Sequence, residues 1–102
     1  MRSVYRYTFA PEVPADDIQS SLLLAIWATE SLHGESLVRL EAKHTFAADH
    51  LRCVIEAGSP VGDDLNRLFV GFIRREFGDD SFGVERVTES ASNVDEASRM
   101  VA

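Results

Sequence analysis

Few side chains in this sequence stand where they can do chemistry together, and the nearest to a reactive set is His44, His50 and Cys53. Read as two alternating strands, residues 36–46 and 50–57 place His44 and Cys53 on one face of a hairpin. Such a pair can serve as nucleophile and base, or as two metal ligands. His50 has the opposite parity to Cys53 and points away. Two ligands do not complete a zinc site. A Cys–His nucleophile also needs a third group to orient the base and a cleft for substrate, whereas both residues are expected beneath helices. Cys53 then reads as a small buried apolar residue and His44 as a strand histidine near the end of the sheet. The carboxylate pairs Asp16-Asp17, Asp63-Asp64 and Asp79-Asp80 sit at helix starts or turns, where the helix dipole and turn chemistry account for them. Asn66 and Arg67 fall on the outer face of a helix and read as solvated. No glycine-rich phosphate loop appears. The sequence predicts neither an enzyme nor a metal or cofactor.

The bulk composition narrows the field further. With 102 residues the chain holds one domain, and 17 acidic against 10 Lys and Arg residues give a net charge of −7. That charge argues against a nucleic-acid partner, which demands a basic footprint, and favours solubility or a basic partner surface. One cysteine excludes an internal disulfide and suits a reducing compartment. Met1-Arg2 leads into polar and aromatic alternation rather than the apolar stretch of a leader. The longest apolar run, Leu22–Ala28, is far short of the roughly 20 residues that span a bilayer. The expectation is a cytoplasmic protein with no membrane partner.

The elements follow from periodicity and punctuation. SVYRYTF, residues 3–9, alternates with Tyr5, Tyr7 and Phe9 on one face and predicts a strand. Pro11 and Pro14 end it. A first helix is predicted from about Pro14 to His33, started by Asp16 and Asp17 and closed by Gly34. SLVRLEAKHTF, residues 36–46, and HLRCVIEA, residues 50–57, predict two strands joined through Ala47-Ala48-Asp49. Their register is open: Glu41 opposite Glu56, Lys43 opposite Arg52, or Lys43 opposite Glu56. Gly58-Ser59-Pro60 breaks the second of them. A second helix runs from about Val61, or one residue earlier, to Phe77, with a stripe of Val61, Leu65, Leu68, Phe69 and Phe72. Residues 81–87 form a weaker last strand. One α+β domain over 1–87 is therefore expected, and 88–102, acidic and Ser-rich, is expected to be a mobile tail.

The order strand, helix, strand, strand, helix, strand resembles the ferredoxin-like fold over about residues 2–87. The resemblance implies a two-layer βαββαβ sandwich, with a four-stranded antiparallel sheet in the order 4-1-3-2 and both helices on one face. It carries no motif, and the fold hosts many unrelated functions. RNA-binding relatives of the RRM type stack bases on aromatic residues of the central strands, where Arg52, Val54 and Glu56 offer none. Metal-carrying relatives use a CxxC pair, and Cys53 stands alone. Acylphosphatases need a phosphate-cradling loop after the first strand, and APEVPADD is acidic and proline-rich.

Two surfaces remain. The open sheet face is expected to carry Arg6, Arg39, Lys43 and Arg52 among Thr8, Glu41, Val54, Glu56 and Glu85, a docking place for an acidic partner or an anionic ligand. On the first helix, Ile18, Leu22, Ala25, Ile26, Thr29 and Leu32 share the stripe packed on the sheet. Trp27 lies about 180° from Ile18 around that helix, with Leu23 and Leu24 beside it. A two-layer domain has nothing left over to cover that side, so Leu23, Leu24 and Trp27 are predicted to form an exposed apolar interface. The leading expectation is a non-enzymatic protein–protein interaction or assembly module whose partner is itself or a larger assembly. The alternative is a sensor that binds a small molecule or anion on the open sheet face or in the inter-helix cleft.

Overall fold

The first strand, β1 (Arg2–Phe9), owes its central place to its alternation, which buries Tyr7 and Phe9 and half-buries Tyr5. The computed structural model describes residues 2–89. β1 is followed by the helices α1 (Ala15–His33) and α2 (Glu35–Glu41), then by the strands β2 (His44–Ala47) and β3 (Arg52–Ala57). The helix α3 (Pro60–Phe77), one 3₁₀ turn at Asp79–Ser81 and the strand β4 (Phe82–Glu89) complete it. The sheet is four-stranded in the order β2-β3-β1-β4, and every neighbouring pair is antiparallel. The architecture is α+β, with three helices where the sequence predicts two.

The extra helix is the main correction. Residues 36–46 do not form one strand: Ser36–Glu41 belongs to α2, and only His44–Ala47 is extended. Gly34, at φ 93°, lets the chain turn out of α1 and straight into α2. Glu35 and Arg39, one turn apart, pair at 3.0 Å. Val38 and Ala42, four residues apart, are both buried, and the Ala42 N–H donates to the Val38 carbonyl. A short apolar run fits period 2 and period 3.6 alike, and here burial of the four-residue pair decides for the helix.

The β2–β3 register brings His44 opposite Ile55 and Phe46 opposite Cys53. Of the three open registers it is the one that sets Lys43 beside Glu56. The Glu56 N–H donates to the Lys43 carbonyl at 2.8 Å, and the Lys43 N–H donates to Glu56 Oε1 at 3.0 Å.

Ser59 starts α3 by accepting from the Gly62 N–H at 2.9 Å, and its hydroxyl donates to the Glu41 carbonyl at the end of α2. A side chain at Gly62 would place its Cβ 2.7 Å from the Glu56 carbonyl oxygen, so β3 and α3 approach at a distance only glycine permits. The buried face of α3 is Val61, Gly62, Leu65, Asn66, Phe69 and Ile73, while Leu68 and Phe72 are half-buried. The helix is thus rotated from the predicted stripe, and Asn66 is buried rather than solvated. On α1 the predicted stripe is buried apart from Leu32, which is exposed one residue before the helix ends.

β4 pairs with β1 along its whole length, including Thr88 with Ser3 and Glu89 with Arg2. The strand therefore takes in two residues read as tail. The rest of that segment, 90–102, lies outside the described residues. The core sits between the sheet and the helices around Tyr7, Ile18, Cys53, Ile55, Leu65, Phe69 and Ile73, all fully buried. Tyr7 and Phe69 meet edge to face with ring centroids 4.9 Å apart.

Candidate functional site

Exposed large apolar side chains gather on two helices. Of the seven among the described residues, Leu23, Leu24, Trp27 and Leu32 are on α1, Leu37 and Leu40 are on α2, and only Val84 lies elsewhere. Trp27 is 58% exposed. Around it on the outward face of α1 stand Ser20, Leu23, Leu24 and Ser31, with the half-buried Glu30 one turn on at the edge, so within a turn of Trp27 that face carries one charge on a chain of net −7. The Ser31 hydroxyl turns back to donate to the Trp27 carbonyl. Leu37 and Leu40 are exposed on α2, beyond the Gly34 corner. The sequence reading missed them because alternation put residues 36–46 in the sheet.

A second feature is a groove of about 490 Å³ between α3 and the β1–β4 pair. Its inner end is a closed polar set. The buried Tyr7 hydroxyl donates to Asn66 Oδ1 at 2.6 Å, and Asn66 Nδ2 donates to the Glu56 and Gly62 carbonyls. Desolvation in the core holds the Tyr7 phenol well above its ordinary range, so it stays a donor. Nearer the mouth, Arg86 lies over the Tyr5 ring at 5.6 Å. Val70 of α3 and Val84 of β4 give apolar walls, and Asp63 and Arg67 complete the rim. The groove exists because β4 presents Val84 and Arg86 toward the helix side, where both remain exposed.

The four basic residues expected on the open sheet face do not converge. Arg6 is there, donating to Glu85 Oε1 at 3.0 and 2.6 Å through two nitrogens. Arg52 opens β3 opposite Thr8 and Ala47 and is exposed. Arg39 is instead on α2, paired with Glu35, because that segment is helical. Lys43 lies in the link between α2 and β2. Val4, flanked across the strands by Glu56 and Val87, is buried.

His44 and Cys53 do share a sheet face, but across the ladder Cys53 is opposite Phe46 and His44 is opposite Ile55. The His44 ring reaches the Ala42 carbonyl at 3.1 Å. Burial pushes the Cys53 thiol up to about 12, which leaves almost no thiolate at neutral pH. Among the described residues no group of three His, Cys, Asp or Glu side chains is placed to hold a metal ion. His33 does find a carboxylate, Asp64 at 2.8 Å, which ties the end of α1 to α3. No helix among the described residues is long and apolar enough to cross a membrane.

Asn66 is the residue that sequence reasoning most plainly misplaced. Its signal is the small residue one turn earlier: Gly62 inside an amphipathic helix marks the side of closest approach, and Asn66 follows on that side.

No family model, no curated protein and no solved structure matches the chain.

Proposed function

We propose that this chain is a non-enzymatic protein–protein interaction module that associates through the outer face of α1, with a second copy of itself as the partner. One observation carries the reading. Six of the seven exposed large apolar side chains among the described residues lie on α1 and α2, with Trp27 at the centre of a face on which its nearest neighbours Ser20, Leu23, Leu24 and Ser31 are uncharged. Exposed apolar side chains grouped as Leu23, Leu24 and Trp27 are on one helix face mark interfaces, and tryptophan is enriched among the residues that dominate their energy.

Charge selects the partner. Two copies of an acidic chain repel least where charge is sparse, and within one turn of Trp27 on the outward face of α1 only Glu30, half-buried at the edge, is charged. A twofold contact then fills the same patch on both copies at once. A basic partner would be drawn to acidic surface rather than to this face.

The remainder of the fold supports the same reading. The order β2-β3-β1-β4, with helices following β1 and β3, is read as a ferredoxin-like sandwich in which α2 is an insertion after the first helix. Cys53, the residue closest to a nucleophile in type, is buried with its thiol held protonated. A single buried cysteine suits a reducing compartment, and the cytoplasm is the location proposed.

Light scattering after size exclusion tests the proposal. The wild-type mass should double as concentration rises, and Trp27→Glu should remain a monomer with an unchanged melting temperature. A wild-type chain that stays monomeric throughout, or a Trp27→Glu chain that still dimerises, overturns it.

A further inference from the structure

The groove between α3 and β4 lies away from the outer face of α1, and its chemistry is different. Its buried polar groups are committed to one another, since Tyr7 and Asn66 satisfy each other and two backbone carbonyls. Asp63 is held at one end, where its Oδ1 accepts from the Gly58 N–H at 3.1 Å. The guanidiniums are held less closely. Arg86 rests on the Tyr5 ring and pairs with no carboxylate among the described residues. Arg67 reaches only Asp64, at 3.4 Å, and Asp64 is the carboxylate that His33 holds more closely at 2.8 Å. Two guanidiniums and one carboxylate line the groove, and with Asp64 offsetting Arg67 the cation left without a carboxylate among the described residues is Arg86. Two residues from Arg86 along β4 and one turn from Arg67 along α3, the walls are Val84 and Val70.

We infer that this groove binds a flat aromatic carboxylate, its ring against Val70 and Val84 and its carboxylate taken by Arg86 and Arg67. The volume, about 490 Å³, falls within the rough range of 300–1,000 Å³ that small-molecule sites occupy. Guanidinium matches carboxylate in plane and can donate to its two oxygens at once. The Tyr5 ring, which lines the groove with the two valines, favours an aromatic acid over an aliphatic one. The apolar walls disfavour a bare inorganic anion, which would exchange its hydration for valine methyls.

The test is titration of the full chain with naphthoate, followed by backbone amide shifts, beside its neutral amide, naphthamide. Saturable shifts at Val70, Val84 and Arg86 are expected with naphthoate, and binding of naphthamide should be at least about tenfold weaker, as loss of a charged hydrogen bond implies. Arg86→Gln should weaken naphthoate by about tenfold or more, with Arg67→Gln weakening it in the same direction. Val84→Trp should fill the groove and abolish binding. Arg39→Gln, on α2, should change nothing. No saturation at millimolar naphthoate, equal binding of the amide, or an equal loss on Arg39→Gln would each overturn the inference. The α1 face plays no part in these readouts, so either proposal can fail alone.

Discussion

The Tyr7 hydroxyl donates to Asn66 Oδ1 at 2.6 Å inside the core, fastening the central strand β1 to α3. Both residues are buried, and Asn66 spends its two donors on the Glu56 and Gly62 carbonyls. Tyr7→Phe keeps the ring and its contact with Phe69 but leaves the Asn66 oxygen without its donor. The variant should lose about 1–3 kcal/mol in urea unfolding, the cost of one unsatisfied buried acceptor. Asn66→Ala should lose at least as much, because it also strips Glu56 and Gly62 of a donor.

Two glycines of α3 should respond in opposite directions to alanine. At Gly62 the new Cβ would meet the Glu56 carbonyl oxygen at 2.7 Å and the Glu41 carbonyl oxygen at 3.2 Å, both backbone atoms that cannot swing away. Gly62→Ala should destabilise by roughly 1–3 kcal/mol despite the gain in helix propensity. Gly71 has nothing within 4 Å of its would-be Cβ and no positive φ. Gly71→Ala should therefore stabilise by about 0.5–1 kcal/mol. Chemical unfolding of both variants beside the wild type checks the pair.

Cys53 should be silent until the chain opens. Its thiol is raised from 9.0 to about 12 by desolvation, so native protein at pH 8 should react with a thiol reagent only through unfolding, and urea should release the full reactivity. The linkage has a sign. A folded-state pKa above the unfolded value gives stability that is fully present below about pH 9 and is lost as pH rises toward about 12. Tyr7 is shifted in the same direction, so the loss should steepen through the alkaline range. Cys53→Ala should reduce that pH dependence without removing it.

What the sequence disclosed depended on how local the cause was. The ends of α1 and α3 were legible because Gly34 and Gly78 close their helices at φ 93° and 89° and Ser59-Pro60 opens α3, all through local geometry. α2 was not legible, because Leu37, Val38, Leu40 and Ala42 satisfy two periods in so short a run. Only their burial against the core distinguishes them. The exposure of Trp27 was legible from helical angle alone, whereas that of Leu37 and Leu40 on a helix emerged only once α2 was known. The groove was not legible at all. It depends on β4 lying beside β1 while its residues Val84 and Arg86 remain exposed beside α3, a matter of layer width rather than of any residue's neighbours in sequence.

The central claim rests on Trp27, which is the only tryptophan in the chain and 58% exposed in the monomer. Its fluorescence therefore reports on the proposed interface with no added label. Emission should lie at the wavelength of a hydrated indole in dilute solution and move to shorter wavelength as concentration rises, in step with the doubling of mass. Emission that stays at the hydrated wavelength while the mass doubles would place the contact elsewhere, and a mass that never doubles would remove it, so either result contradicts the account.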